Sequence, residues 1–281
     1  GLITEGREAR VAQVLKQLRG ELSDWSDAGF EAHAGRGPAA YWLGFPLPNL
    51  VRQARVIRTA ELEHRTLSID YTVDQWRAMT EVTIYVADWR GLVSQLAGAL
   101  ALSGASIVDA RIFTLKNGMA LDSFTVQDSN GGPFDTPARF ARVAATVERV
   151  LKNPRKTLAE LVNLPPGNPA VRSFPVVPRV LIDNKASATH TLVEVTGRDR
   201  RGLMHFLTRA LTAQNLQIST AKISTFGHRV VDVFYVKDQF GLKIESESRL
   251  KAIREALTQV LQEREAEIAP PAIEAKAPAA Q

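Results

Sequence analysis

Residues 7–25 carry Val11, Val14, Leu15, Leu18 and Leu22 at steps of three and four, with charged residues between them. That spacing predicts an amphipathic helix. Gly29, Gly35, Gly37 and Pro38 break the pattern. The compact run AYWLGF (40–45) follows. Its Tyr41, Trp42 and Phe45 are expected to pack a core between helices and the units downstream; ligand stacking is the other use for such rings. Leu50, Ala54, Ile57 and Leu62 predict a second helix over residues 48–63. From residue 66 the helical period gives way to a period of two, the mark of strands.

The rest of the chain repeats itself. Asp88, Gly91, Leu92, Ile107, Ala110, Ile112 and Thr114 match Asp199, Gly202, Leu203, Ile218, Ala221, Ile223 and Thr225 at an offset of 199 − 88 = 111. Asp122, Phe124, Val126 and Asp128 then match Asp232, Phe234, Val236 and Asp238 at an offset of 110. The lost residue falls between KNG (116–118) and GH (227–228), where a hairpin turn tolerates a length change. A repeat of this kind means one supersecondary unit used twice.

Each copy reads as a strand (81–87; 191–197), an amphipathic helix with Leu92, Leu96 and Leu100 or Leu203, Phe206, Leu207 and Leu211, two strands joined by a hairpin, and a closing helix. That order is β-α-β-β-α, one strand short of a ferredoxin-like βαββαβ sandwich. TLSIDYT (66–72) and RVLIDN (179–184) lie upstream of the two copies and can supply the outer strand, giving ββαββα; alternatively 179–184 closes the first unit. The fold class expected is α+β: two such sandwiches in tandem behind a short helical segment. The divisions are a helical connector (1–65), a first unit (66–151), a linker with six prolines (152–178), a second unit (179–264) and a disordered Ala/Pro-rich tail (265–281).

The repeated DWRGL (88–92) and DRRGL (199–203) sit at strand-to-helix junctions. The plain account is capping, with the carboxylate accepting a first-turn amide hydrogen for ~1 kcal/mol. A second account is ligand binding. A helix N-terminus offers unpaired N–H groups to a carboxylate, and an acid beside it suits an ammonium. An amino acid carries both charges on one carbon.

Composition narrows the chemistry. The 281 residues contain no cysteine, which excludes disulfides, thiolate nucleophiles and cysteine-ligated zinc and fits the cytosol. Net charge is +5, read as solubility or a diffuse attraction to acidic partners. No apolar run approaches the ~20 residues of a membrane span. His33, His64, His190, His205 and His228 never fall at metal-ligand spacing. The chain opens on Gly1-Leu2 without an initiator Met, which reads as a cut fragment.

The paired units resemble tandem ACT domains, small-molecule sensors whose ligand site lies at the D-x-x-G-L loop and at the strand that pairs across an interface. YWLGF (41–45), TEVTIYVADWRGL (80–92), GASIVDARIFTLKNGMALDSF (104–124), RVLIDNKAS (179–187) and VVDVFYVKDQFGLKI (230–244) are similar to the C-terminal region of bacterial PII uridylyltransferase/uridylyl-removing enzymes. The likeness runs from about residue 7 to 262. Trp89-Arg90 and Arg200-Arg201 stand where ACT loops commonly carry Pro before Gly.

That resemblance implies a cytoplasmic regulatory ACT pair that senses glutamine. The activities it would regulate are a nucleotidyltransferase domain and an HD-type phosphohydrolase domain, which add UMP to the PII signalling protein and remove it. This chain carries neither catalytic signature, so magnesium is expected in the parent enzyme and no cofactor here. The resemblance further implies glutamine contacts from Asp88, Arg90, Gly91, Leu92 and Ile107, and from Asp199, Arg201, Gly202, Leu203 and Ile218, with ACT-mediated oligomers as a further option. A free-standing ACT-repeat module is the alternative reading. A nucleic-acid-binding ferredoxin-like domain is a weaker one, since Ile107, Ala110 and Ile112 stand where stacking aromatics are needed.

Other features have plainer expectations. Asp122 and Asp232 are expected on a part-open sheet face near Arg111 or Lys222. His205 is expected at the surface, and Arg198, Arg200 and Arg201 in a solvated loop.

Overall fold

The computed structural model describes residues 2–163, 176–226 and 229–266. Four helices open it: α1 (Leu2–Glu21), α2 (Asp27–Ala34), α3 (Ala39–Gly44) and α4 (Leu47–Leu62). The first repeat follows as β1 (Leu67–Asp74), β2 (Met79–Ala87), α5 (Leu92–Leu102), β3 (Ser106–Thr114), β4 (Met119–Gln127) and α6 (Pro137–Lys152). After α7 (Pro154–Val162) the second repeat runs β5 (Arg179–Asp183), β6 (Thr191–Arg198), α8 (Leu203–Ala213), β7 (Leu216–Phe226), β8 (Arg229–Asp238) and α9 (Glu247–Ala266).

Local chemistry sets several starts. Ser26 Oγ accepts from the Gly29 amide ahead of α2, and Thr136 Oγ1 from the Arg139 amide ahead of α6, where Pro137 loses nothing in the first turn. β5 pairs with β6 through Val180 and Val195, so residues 179–183 take the outer position of the second unit. Both units are therefore ββαββα sandwiches of the ferredoxin-like class. Within the 152–178 linker, residues 154–162 form α7, and Pro154 sits in the first turn of that helix and breaks nothing. The tail beyond residue 266 lies outside the described residues, as does the second hairpin tip (227–228).

All eight strands form one antiparallel sheet in the order β1-β2-β4-β3-β7-β8-β6-β5. The seam between units is short: Asp109 opposite Lys222, Ala110 opposite Ala221, Arg111 opposite Thr220. Ala110 and Ala221 are repeat equivalents, so a local two-fold axis passes between them. The same axis passes between α5 and α8, where His205 Nδ1 lies 2.6 Å from the carbonyl oxygen of its own equivalent, Ser94. His205 is 5% exposed; it is an interface residue, and the surface placement is corrected.

Alternation along β2 divides the core. Val82, Ile84 and Val86 face α5 and α6 and join the large core, while Tyr85 points the other way, under α1–α4. Trp42, Tyr41 and Phe45 fill that second core against Tyr85, Leu121 and Phe113, as the aromatic run predicts. The same face of the second unit leaves Leu181 and Phe226 exposed.

His33 is wedged edge-on between Trp25 and Trp42, with no hydrogen bond to either ring nitrogen. Desolvation, then the Arg36 charge, lowers its pKa to about 4. The unfolded chain binds that proton near 6.5, so the stability contributed by neutral His33 is present above 6.5 and lost as pH falls from 6.5 to 4. Acidification across that window is expected to cost about 2–3 kcal/mol, seen as red-shifted tryptophan emission, and His33→Phe to remove the transition. An unchanged transition in His33→Phe would refute the assignment.

Candidate functional site

Both repeated loops fold into the same turn. The Leu92 amide donates to the Trp89 carbonyl at 3.1 Å, and the Leu203 amide to the Arg200 carbonyl at 3.2 Å. The third residue of each turn, Gly91 (φ 93°, ψ 2°) or Gly202 (φ 77°, ψ 2°), has type II geometry, which a side chain would strain. Type II turns favour Pro just before that glycine, and here Arg90 and Arg201 stand there. Arg90 is held instead by donating from Nη2 to the Thr212 carbonyl, at the end of α8 in the other unit (3.0 Å).

Neither aspartate caps its helix, which corrects the capping account. The cap residues are Gly91 and Gly202, and no side chain accepts a first-turn amide of α5 or α8. The Asp88 carboxylate instead accepts from the Thr114 hydroxyl at 2.5 Å. The α5 N-terminus therefore keeps free donors and its positive dipole end.

That end opens into a cleft of about 800 Å³ between the two units. One wall is Asp88, Arg90, Gly91 and Leu92; the facing wall is Ile218, Ser219 and Thr220 of β7. Ser219 is a bulge residue. The ladder to β8 steps from Ile218 to Thr220, and the matching bulge falls at Val108 in β3. A bulge leaves backbone groups unpaired and re-aims side chains. Ser219 Oγ meets His190 Nε2 at 3.1 Å. Desolvation, then Lys237 and Arg7, holds the His190 imidazole below its ordinary pKa. With Arg90 and Arg111 also in the lining, the cleft is cationic around one acid, Asp88.

The helical segment closes the cleft at one side through Arg7 and Gly44, and Arg111 donates to the Gly44 carbonyl. The sequence-predicted residues thus fall into two sets. Asp88, Arg90, Gly91, Leu92 and Ile218 share this cleft. Asp199, Arg201, Gly202 and Leu203 form the other loop, and Ile107 lies in the large core. Ser219, His190 and Thr114 were not anticipated: a bulge leaves no periodic signal, and His190 is a lone histidine in a loop.

The second loop differs in environment. Asp199 keeps an exposed edge, yet neighbouring protein displaces enough water to raise its pKa, against a backbone hydrogen bond from Arg200 that lowers it. Arg200 is not simply solvated: its Nη2 donates to the Val260 carbonyl of α9 at 2.8 Å.

Beneath each loop lies a buried acid. Asp122 (1% exposed) and Asp232 (2% exposed) face the helices in step with Phe124 and Phe234, which corrects the part-open placement; Arg111 and Lys222 pair with Asp109 instead. Desolvation, then the Asp88 charge, pushes Asp122 well above the carboxylate range; desolvation, then the Asp199 charge, pushes Asp232 up to about 8. Asp122 Oδ2 and Asp232 Oδ1 make no hydrogen bond. Among the described residues no group of three or more acids and histidines is placed to hold a metal ion, and no helix is long and apolar enough to cross a membrane.

An ACT-like domain family, described as ACR9-like, matches residues 179–265. Bifunctional uridylyltransferase/uridylyl-removing enzymes of Azospirillum brasilense, Rhodospirillum rubrum and Gluconobacter oxydans are 52%, 44% and 42% identical to this chain over 263, 258 and 261 residues. These matches take in 93%, 92% and 92% of this chain but 28%, 28% and 27% of the respective relatives. The chain therefore spans little more than a quarter of their length, and the resemblance read from the sequence holds along nearly all of it.

Proposed function

We propose, from the premise that this chain corresponds to a part of a bifunctional uridylyltransferase/uridylyl-removing enzyme, that it is the glutamine-sensing regulatory part of such a protein. The observation that carries this reading is the meeting of Asp88 with the uncapped N-terminus of α5 inside the inter-unit cleft. Asp88 would receive the α-ammonium. The α-carboxylate would take the first-turn amides beside Gly91, at the positive end of the helix. The side-chain amide both donates and accepts, and the unladdered backbone of Ser219 supplies complementary groups.

A ligand held by both walls favours one relative position of the two units, and it shifts an equilibrium only by its difference in affinity between positions. The helical segment shares the cleft wall through Arg7 and Gly44, so such a shift would reach it directly. In the whole protein the shift would set the balance between adding UMP to PII and removing it, in catalytic domains that use magnesium.

Titration calorimetry of this chain against glutamine and the other common amino acids tests the reading. Glutamine is expected to bind, and Asp88→Asn to weaken it about tenfold or more, or 1.4 kcal/mol. Heat from another amino acid alone, or equal affinity in Asp88→Asn, would refute the assignment.

A further inference from the structure

The local two-fold axis relates the first cleft to a second, formed by the Asp199–Leu203 loop and the start of β3. The two are not alike. At the second, a helix of the chain itself lies against the turn glycine, whereas Gly91 of the first meets only Ser94 Oγ, at 4.0 Å. Leu161 of α7 is fully buried, and its Cδ2 lies 3.3 Å from where a β-carbon on Gly202 would be. Helix α7 also packs along α5, the helix that in the first unit occupies the position of α8. One short helix thus touches the turn of the second unit and the body of the first. By the repeat offset, Thr212 and Leu216 of the first cleft correspond to Ala101 and Ala105 of the second.

We infer that α7 is a plug: Leu161 fills the second cleft, so the chain offers one open amino-acid site, and the second opens only when α7 lifts. Its attachment suits a reversible device. Helix α7 spans nine residues, follows α6 after the single residue Asn153, and is tied back by the Arg149–Glu160 ion pair at 2.7 Å. Exposed ion pairs contribute little, on the order of 0–1 kcal/mol, so among the described side chains of α7 the buried Leu161 is the main anchor. The segment that carries the plug also joins the two units, so lifting it would change their connection and could couple occupancy of the second cleft to the first. This inference rests on the reading of the first cleft as an amino-acid site.

Two measurements test it. The chain has no native cysteine, so Leu161→Cys and Val162→Cys place single thiols on either side of the plug. Val162 is 48% exposed. Leu161→Cys is expected to label at least about tenfold more slowly than Val162→Cys, because labelling needs local opening. In calorimetry with glutamine, the unmodified chain is expected to bind one molecule, and Leu161→Asp to bind two. Glu160→Arg, which keeps the leucine and sets two arginines against each other, serves if Leu161→Asp fails to fold, and is likewise expected to raise the stoichiometry. One site in both the parent and the lifted variant overturns the plug, and so do two sites in both. Heat from neither withdraws the glutamine reading; the plug is then judged by labelling, and equal rates at 161 and 162 overturn it.

Discussion

Replacing Asp232 by asparagine is expected to destabilise the protein by about 2 kcal/mol at pH 4 and to stabilise it by about 3 kcal/mol at pH 9. The side chain lies among Val230, Phe234 and Val236, with Oδ1 unpartnered and the Asp199 charge nearby. Its folded pKa of about 8 lies above the 3.8 of an ordinary aspartate, so folding favours the protonated acid. Below 3.8 both states hold the proton and the group is neutral in its effect. Between 3.8 and 8 the unfolded chain releases its proton while the fold keeps it, and stability falls by about 1.4 kcal/mol per pH unit. Above 8 the fold holds a buried charge. Asparagine keeps the shape without the charge, at the cost of an unsatisfied amide. Urea denaturation of both proteins from pH 4 to 9 checks this; parallel curves would mean that Asp232 ionises freely. Asp122, whose pKa burial and then the Asp88 charge also raise, is expected to behave the same way.

Trp42→Ala is expected to destabilise the protein by about 3–5 kcal/mol. The indole is 2% exposed, donates from Nε1 to the Gly37 carbonyl at 3.1 Å, and packs edge-on against His33 and Tyr41. Gly37 is itself required: a β-carbon there would lie 2.5 Å from the Tyr41 ring and 2.9 Å from the Trp42 ring. Loss of the indole removes the centre of the second core and leaves a cavity that two helices and a sheet face share. The consequence reaches the site, because α1 and α3 supply Arg7 and Gly44 to the cleft wall. Chemical denaturation measures the stability, and hydrogen exchange at Tyr85 and Leu121 reports whether the helices leave the sheet. A loss below about 1 kcal/mol would mean that the aromatic run is peripheral.

Much of this molecule follows from short-range pattern. The 111-residue offset marked both repeats and both turns, and the period of two marked 66–72 and 179–184 as candidate outer strands without deciding to which unit 179–184 belongs, because strand and helix periods are local properties of the chain. The turn glycines were legible for the same reason: only their backbone freedom satisfies that geometry. Even the burial of Asp122 and Asp232 was written in the period of two that puts them in step with Phe124 and Phe234, but their polarity outweighed their position.

The tertiary structure alone decided which faces are covered. Periodicity tells which side chains share a face, and nothing in it says what meets that face. Tyr85 is covered by α1–α4, while Phe226 on the second unit is exposed. His205 is buried because it meets its own equivalent, Ser94, across a two-fold axis that exists only once two units lie side by side. The packing of Leu161 against Gly202, with no counterpart at Gly91, has the same origin: two sequence-equivalent loops become different places when one chain, threading past both, packs against them unequally.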